Sequence, residues 1–242
     1  MSMNRHPRSR VPLAHRERVD WHHHADHQLI YPRRGVLRVS TAEAVWAVPP
    51  QRAVWLPALV PHAHEAHGPT DLRCVIFAEN PLALRRPTVM AVSPLLAEVV
   101  AALTAEDAPG PERRRNLQRV ALDELRPVEG LTVRLPTPAD ARLRDVAALL
   151  EADPATPRTL AELGAEVGAS ERTLSRLFRA ETGMSFPQWR TQLRLHHSLT
   201  LLARGSSVTA VAADCGYNGP SAFIHAFRTA FGTTPGAHLV ND

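Results

Sequence analysis

The sequence predicts an α+β protein, in which a small β-barrel and two helices precede an all-α domain with two similar helical units joined by a long helix. Between Leu29 and Phe77, short apolar or alternating runs are separated by proline and glycine, which is typical of a small all-β barrel or sandwich. From about Ser93 onward, apolar residues recur at helical spacing instead. At 242 residues, the chain is long enough for two domains of modest size.

The barrel is predicted from five short runs that turn residues separate. These runs are 29–31, 36–39, 44–48, 53–56 and 72–77. Proline cannot donate a hydrogen bond to a strand ladder, and glycine permits turn conformations, so both punctuate a chain of strands. We therefore expect the first domain to span residues 1–92.

Two amphipathic helices are predicted next, at 94–103 and 113–125. Their apolar residues recur every three or four positions, so each helix has one face to bury. We expect the segment 93–130 to serve dimerisation or linkage, and burial of these faces against the barrel is an equal alternative. An extended linker, 131–138, follows, because its two prolines disfavour helix in the residues before them.

The last part of the chain, 136–242, is predicted to be a single helical domain. Its predicted helices are 139–152, 159–167, 170–181, 186–203, 208–215 and 220–230. Two segments, 160–183 and 208–232, share one pattern: a short helix, a tight turn with glycine, a second helix with a Phe-Arg pair, and a closing glycine. This pattern indicates two helix-turn-helix units, whose second helices enter the major groove of DNA.

In the first unit, Leu174, Leu177 and Phe178 are predicted to face the core, which leaves polar residues on the other faces of the helix. The predicted DNA contacts are Arg172, Ser175, Arg176 and Arg179. Arginine can pair bidentately with guanine in the major groove. The alternative is the solvated face of an ordinary helical bundle.

In the second unit, Phe223 and Phe227 are predicted to anchor the recognition helix. The predicted DNA contacts are Pro220, Ser221, Ala222, His225 and Arg228. The predicted helix 186–203, which joins the two units, spans about 27 Å at roughly 1.5 Å per residue. A spacer of this length can set two recognition helices into successive major grooves, about 34 Å apart. The alternative is a helical adaptor that binds protein. In that case the predicted contact faces of both helices would not bind nucleic acid.

Two runs, GASERTLSRLFRAETGMSFPQWR and VTAVAADCGYNGPSAFIHAFRTAFGTTP, resemble the AraC/XylS family of bacterial transcription regulators over the last hundred residues. The second unit carries the signature elements Gly216, Tyr217, Ser221, Phe223, Phe227, Gly232 and Pro235. It departs from the family pattern at Ala237-His238, where members often have Arg-Tyr. The resemblance implies a regulator that binds promoter DNA as a monomer or dimer in response to an effector, with RNA polymerase as a further partner. It leaves activation and repression both open.

The N-terminal half resembles the cupin-type sensor domain found ahead of such regulators. His22, His24, Gln28 and Gly35 follow the spacing of the first cupin motif, with glutamine in place of the usual glutamate. The second motif is partial: Pro57 and His62 fit it, but Leu59 and Ala66 replace the usual glycine and asparagine.

Two histidines separated by one residue on a strand point to the same side, so with a third from a neighbouring strand they could bind one metal ion. The predicted ligands are His22, His24, Gln28 and His62. The candidate ions are Zn, Ni, Fe and Mn, which spacing alone cannot separate. The alternative is that these groups form hydrogen bonds within the barrel or contact an organic effector.

Further aromatic and imidazole groups surround this predicted site. Trp21, Tyr31, Trp46 and Trp55 are predicted to line an effector pocket, with burial in the core as the alternative. His23, His27, His64 and His67 are predicted to be exposed loop residues, with a role in tuning effector or metal binding as the alternative. A metal-dependent cupin oxygenase or isomerase with an accessory helical half is the second hypothesis for function, but no acid or base is placed for it, so the chain is not expected to be an enzyme.

The composition is compatible with this interpretation. The formal net charge of +4 suits a polyanionic partner, although the excess lies largely in the N-terminal half. Two cysteines far apart in apolar runs are expected to be buried thiols. The start lacks the apolar centre of a signal peptide, and no stretch of about 20 apolar residues exists, so we expect a cytoplasmic protein.

Overall fold

A computed structural model describes residues 9–128 and 134–236. Within these residues the chain forms two compact units. The N-terminal unit runs to Thr41 and resumes at Ala47, and the C-terminal unit combines the short segment Ala42–Trp46 with the residues that follow position 133. Residues 131–133 of the predicted linker and the Ala237-His238 departure lie outside the described residues.

The first unit is built on an antiparallel sheet. The strands of the chain are β1 Arg10–Leu13, β2 Arg18–His22, β3 His27–Thr41, β4 Ala44–Val48, β5 Arg52–Leu56, β6 His62–Phe77, β7 Thr88–Ala91, β8 Arg126–Pro127 and β9 Arg134–Pro136. Of these, β9 and the part of β4 up to Trp46 belong to the C-terminal unit. The main path runs β1-β6-β3-β5-β7-β8, and β2 also pairs with β6. No pairing among the described strands joins β1 to β8, so the sheet is open. The predicted fold class, a β domain with two helices followed by an all-α domain, is confirmed, except that the sheet predicted as a small barrel is not closed among the described strands.

The long antiparallel pairing of β3 with β6 forms the centre of the sheet. Its register shifts twice between Pro32 and Val36, which marks irregular pairing at this point. Gly35 lies inside this region with a φ of 78°, and a Cβ there would overlap the backbone oxygen of Pro69. Only glycine fits this combination of left-handed backbone and close approach.

Two helices, α1 Pro94–Leu103 and α2 Pro111–Asp123, close one face of the sheet. Ser93 caps α1 by accepting a hydrogen bond from the Leu96 amide (3.0 Å), and its hydroxyl donates to Glu124 beyond the end of α2 (2.7 Å). The apolar faces of both helices share one core with sheet residues. This core contains Leu29, Tyr31, Ala53, Trp55, Val75, Phe77, Met90, Leu96, Val99, Val100, Leu103, Ala121 and Leu125. Most of the predicted apolar faces are thus packed against the sheet, while Leu95 and Val120 remain exposed.

The C-terminal unit is helical apart from one short strand pair. The helices are α3 Ala141–Ala152, α4 Leu160–Glu166, α5 Glu171–Leu177, α6 Phe186–Ala203, α7 Val208–Asp214 and α8 Pro220–Phe231. Within this unit the residues of β4 up to Trp46 pair with β9. The sequence predicted an extended linker where β9 lies, but not its partner strand.

The helix predicted at 170–181 is interrupted before its end. A π-helical turn, Phe178–Thr182, follows α5 and ends at Gly183, which has a φ of 72°. The Thr182 hydroxyl donates to the carbonyl oxygen of Phe178 (2.6 Å), a side-chain bond that competes with regular helical pairing.

The α6 helix organises this unit through two arginines that point to the loop between α3 and α4. The Arg190 guanidinium donates to the carbonyl oxygen of Thr156 (2.6 Å), and that of Arg194 donates to the carbonyl oxygen of Pro154 (3.0 Å). The same Arg194 lies over the Tyr217 ring, 5.9 Å from its centroid. Because α6 packs against α3, α7 and α8, it ties the two helical units to one loop.

None of the described helices is long and apolar enough to cross a membrane. Cys74 and Cys215 are both buried and unpaired, as predicted, and burial raises the pKa of each thiol to about 12.

The two turn glycines provide a test of this packing, because they have nearly the same backbone conformation in different surroundings. Gly168 has a φ of 67° and open space where a Cβ would lie, whereas a Cβ on Gly216 (φ 69°) would meet the Ala155 backbone at 2.8 Å. We expect Gly168→Ala to lower the free energy of unfolding by about 1 kcal/mol, from backbone strain alone. Gly216→Ala should cost about 3 kcal/mol, because overlap adds to the strain.

Urea unfolding of the full chain, followed by the helical circular dichroism signal to which the helices of the C-terminal unit contribute most, measures both costs. Equal losses for the two variants would contradict the proposed packing of the second turn on the α3–α4 loop.

Candidate nucleic-acid interface and histidine site

The two helix-turn-helix units, α4–α5 and α7–α8, share their backbone geometry. In each unit a glycine in the turn has a positive φ, 67° at Gly168 and 69° at Gly216. A second glycine ends the recognition helix in the left-handed region, Gly183 (φ 72°) in the first unit and Gly232 (φ 74°) in the second. The repeat predicted from the sequence is therefore present in the backbone, apart from the π-helical turn.

The first helix-turn-helix unit is stabilised by helix caps and by one small residue. Thr159 and Glu162 form a capping box at the start of α4. Gly164 lies where α4 meets the turn, and a Cβ there would overlap the carbonyl oxygen of Ala169. Ser170 caps α5 by accepting from the Thr173 amide (3.2 Å). These contacts fix the angle at which α5 leaves the turn.

One side of α5 and of the π-helical turn that continues it, hereafter the α5 face, presents three arginines, the last of them in the turn. Arg172, Arg176 and Arg179 are all exposed, and their spacing of four and then three residues places them on one side of the helix. No ion pair holds any of the three among residues 9–128 and 134–236. Ser175, the fourth predicted contact, is half-buried beside them. Leu174 and Leu177 are buried on the opposite side, as predicted.

The corresponding face of α8 is exposed with the same spacing. Ser221, His225 and Arg228 take the places of the three arginines, and all are exposed. Pro220 and Ala222, at the start of the helix, are exposed too. Phe223, Phe227 and Phe231 are buried on the other side. All nine predicted DNA contacts thus lie on the outer sides of the two recognition helices, eight exposed and one half-buried.

Three of the predicted metal ligands meet where β2 ends beside the start of β6. Ligand nitrogens of His22, His24 and His62 all lie within 4.8 Å of one another. The His22 Nδ1 donates to the carbonyl oxygen of Asp20 (2.6 Å), and the His62 Nδ1 donates to that of Val60 (2.8 Å). A carbonyl can only accept, so in the neutral form of each ring the proton lies on Nδ1 and the Nε2 atom is the one that can bind a metal ion.

Several buried polar atoms near this cluster or on neighbouring strands have no hydrogen-bond partner among the described residues. They are His24 Nε2, His62 Nε2, His64 Nδ1 and the Oε1 of Gln28. Burying such groups without a partner costs free energy, so each requires an explanation. Gln28, the fourth predicted ligand, lies on β3 and is 1 % exposed.

The expectation of exposed loop histidines is wrong for His27 and His67, which are half-buried on β3 and β6, and for His64. His64 lies on β6, is 4 % exposed, and its ring centroid is 5.0 Å from that of His62 and 5.2 Å from that of His22. His62 and His64 are two residues apart on one strand, so they share a face for the same reason as His22 and His24. That spacing was the signal that could have identified His64 from the sequence.

Burial, together with the neighbouring imidazoles, lowers the pKa of His24, His62 and His64. Burial lowers the pKa of His62 to about 4, and the neighbouring His22 and His24 contribute to the shift. Burial also lowers the pKa of His64 well below its ordinary value. The neutral imidazole is the form that binds metals.

The four predicted pocket aromatics do not line one pocket. Tyr31 and Trp55 are buried in the core beneath α1 and α2, and Trp46 is buried in the segment that belongs to the C-terminal unit. The alternative, burial in a core, therefore holds for these residues. Trp21 is 59 % exposed and lines a surface depression of about 270 Å³, together with Arg38 and His64 among others.

Comparison with known proteins finds two matching family descriptions. Residues 13–181 match an AraC-like ligand binding domain, and residues 163–239 match a helix-turn-helix domain. The HTH-type transcriptional regulator NimR of Escherichia coli (strain K12) is 35% identical over 224 residues, which cover 90% of this chain and 81% of NimR. The regulator RipA of Corynebacterium glutamicum is 39% identical over 107 residues, 43% of this chain and 32% of RipA.

Solved structures of regulators are also similar. ToxT from Vibrio cholerae matches 96% of this chain and 97% of its own, with 10% identity and a TM-score of 0.43. An AraC-type regulator from Chromobacterium violaceum matches 40% of this chain and 88% of its own, with 27% identity and a TM-score of 0.39.

The two family matches and the similarity to NimR agree with the sequence resemblance and with the two exposed recognition helices. None of them supports the alternative of a metal-dependent cupin enzyme. The chain belongs to the AraC/XylS family: it is a DNA-binding transcription regulator, not an enzyme, with a ligand-binding domain ahead of two helix-turn-helix units.

Proposed function

We propose that α5 and α8 bind successive major grooves of one promoter site, and that an effector in the N-terminal unit controls this binding. The observation that carries the proposal is the matched pair of exposed faces, Arg172, Arg176 and Arg179 on α5 and Ser221, His225 and Arg228 on α8. Side chains in these positions reach base edges and phosphates when a recognition helix lies in the groove.

The two faces suggest a division of roles. The three arginines of α5 can pair with guanines or with phosphates, so this helix supplies both sequence reading and much of the electrostatic attraction. The face of α8 has one arginine, one imidazole and small groups at its start. These groups favour close approach to the groove and make a smaller contribution to salt-dependent affinity.

The direct experiment is selection of random duplex DNA by the purified full chain, followed by binding of the enriched site across a salt series. We expect two sequence boxes about one helical turn apart and a steep loss of affinity with salt. Enrichment of a single box, or of none, would contradict binding by both helices.

Arg176 is expected to read a base, because it lies in the middle of the exposed face of α5. Arg176→Ala should weaken binding to the selected site by about 1 to 3 kcal/mol and relax the preference at one position. Fluorescence anisotropy with the selected site and with single-base variants measures both effects.

Arg115→Ala is the matched control, since this arginine is equally exposed but lies on α2 of the N-terminal unit. Weakening that is equal on all sequences would identify Arg176 as a phosphate contact instead. No change of affinity would remove it from the interface.

For the effector, we propose a divalent transition metal ion, from the set Zn, Ni, Fe and Mn, held by His22, His24 and His62 with Gln28 as a fourth candidate. The convergence of three imidazole nitrogens within 4.8 Å supports this. So do the two carbonyl contacts that orient the His22 and His62 rings, since metal-binding histidines commonly use their second nitrogen in this way. A bound ion would supply a crosslink between β2 and β6.

Removal of one imidazole should abolish this binding. We expect His24→Ala to weaken Zn²⁺ binding by about 100-fold or more, measured by competition with a chromophoric chelator. His23→Ala is the control, because His23 is adjacent in sequence but exposed. DNA affinity should depend on Zn²⁺ in the wild type and in the control, but not in His24→Ala. Equal zinc binding by both variants would contradict the site.

We also propose that the chain acts in the cytoplasm, where bacterial promoters are, and that it contacts RNA polymerase and pairs with a second copy on operators with two half-sites. The membership in a family of regulators supports these proposals. The mass of the complex on a selected operator gives the copy number, and transcription from that promoter in the presence of polymerase gives the sign of regulation.

A further inference from the structure

We propose that His64, rather than Gln28, completes the metal site, so that the ion is held by four imidazoles from β2 and β6. This inference rests on the proposed effector site and deepens it, because the donor set restricts the class of ion. Structural and regulatory sites for Zn²⁺ usually have four ligands in tetrahedral geometry, so the three converging histidines need one more donor.

The spacing of the rings favours His64. The centroids of His22, His24 and His62 are separated by 4.3 to 5.4 Å. His64 is 5.0 Å from His62 and 5.2 Å from His22, within the same range. Two imidazoles on one tetrahedral ion, with metal–nitrogen distances of about 2.0 Å, have centroids about 5 Å apart. The His64 ring thus lies at this spacing from two of the three histidines. Its nitrogens are not among those that lie within 4.8 Å of one another, so the His64 ring would have to turn to complete the site.

The arrangement of the strands explains why these four side chains meet. In the antiparallel pair β2–β6, His22 lies opposite His62 and Val19 opposite His64, with an irregularity in between. His62 and His64 are buried, whereas the alternating residues Ala63 and Glu65 are half-buried, so both histidines face the inner side of the sheet. An H-x-H pair from the region of β2 therefore faces an H-x-H pair from β6.

The unpartnered nitrogen of His64 supports the same assignment. Its Nδ1 is buried and has no hydrogen-bond partner among the described residues. At this position β6 is paired with β2 on one side and with β3 on the other. A metal ion at the centre of the cluster would satisfy this atom together with the Nε2 atoms of His24 and His62. The Oε1 of Gln28 is equally unpartnered, but Gln28 lies opposite Ile76 of β6, twelve residues along that strand from His64, which lies opposite Val39.

Four imidazoles also restrict the ion. Imidazole nitrogen suits Zn²⁺, Ni²⁺ and Cu²⁺, whereas Mn²⁺ prefers carboxylate, carbonyl and water oxygens. A site with Gln28 as a ligand would tolerate Mn²⁺ better than an all-histidine site. We therefore expect the full chain to bind Zn²⁺ at least about 100-fold more tightly than Mn²⁺.

The test introduces a spectroscopically distinct ligand at each candidate position in the full chain. Cobalt(II) bound to a thiolate shows a charge-transfer band in the near ultraviolet that an all-imidazole site lacks, and thiolates are strong ligands for such ions. We expect Co²⁺-loaded His64→Cys to gain this band and Gln28→Cys to lack it. Cys74 and Cys215 are present in every variant, so the wild-type spectrum gives their background.

Loss of affinity gives a second, independent measurement. His64→Leu should weaken Zn²⁺ binding by about 100-fold, and Gln28→Leu should leave it unchanged, with thermal unfolding of the metal-free variants as the check on folding. A charge-transfer band only in Gln28→Cys, or zinc affinity lost only in Gln28→Leu, would overturn the assignment of His64.

The outcomes separate this inference from the proposed effector. If His24→Ala abolishes zinc binding while His64→Leu and His64→Cys bind Co²⁺ and Zn²⁺ as the wild type does, the three-histidine site stands and the role of His64 is wrong. If the wild-type chain binds neither ion, both proposals are wrong.

Discussion

The DNA-binding half depends on the α6 helix and on two of its arginines. Arg190 and Arg194 donate to carbonyl oxygens of the loop between α3 and α4, and the same loop backbone leaves no space for a side chain at Gly216. Hydrogen bonds from a charged donor are stronger than neutral ones, and here they join elements that are distant in sequence. The α6 helix is therefore packed as one body with the first helix-turn-helix unit and with the turn of the second. This packing gives the two recognition helices a fixed separation.

The two helix-turn-helix units use the same backbone for different chemistry. Both have a left-handed glycine in the turn and another at the end, and both bury large apolar residues on one side of the recognition helix. Their exposed faces differ, since Arg172 and Arg176 correspond to Ser221 and His225. The scaffold is thus repeated while the surface that meets DNA is not, so each unit can bind a different sequence box.

Helical periodicity and turn chemistry were enough to predict the six helices of the C-terminal unit, because each has a polar cap or a glycine near its ends and one apolar stripe. Sequence could not predict contacts between distant segments, such as the pairing of Ala44 with Pro136. It also misplaced His64, because period-two alternation was applied to the H-x-H pair at His22 but not to the equivalent pair at His62. The aromatic residues of the sheet followed the general preference for the core over a pocket, as at Trp55.

The fixed separation of α5 and α8 is tested most directly by changing the spacing between the two boxes of the selected DNA site. Because α6 has a length of about 27 Å and cannot stretch, insertion of about 5 base pairs should reduce the affinity of the full chain to that of a single box. Insertion of a full helical turn should not restore it, because the second box then faces the protein but is about 34 Å farther away. Unchanged affinity at every spacing, or full recovery after one turn, would contradict the account and would indicate two units that bind independently.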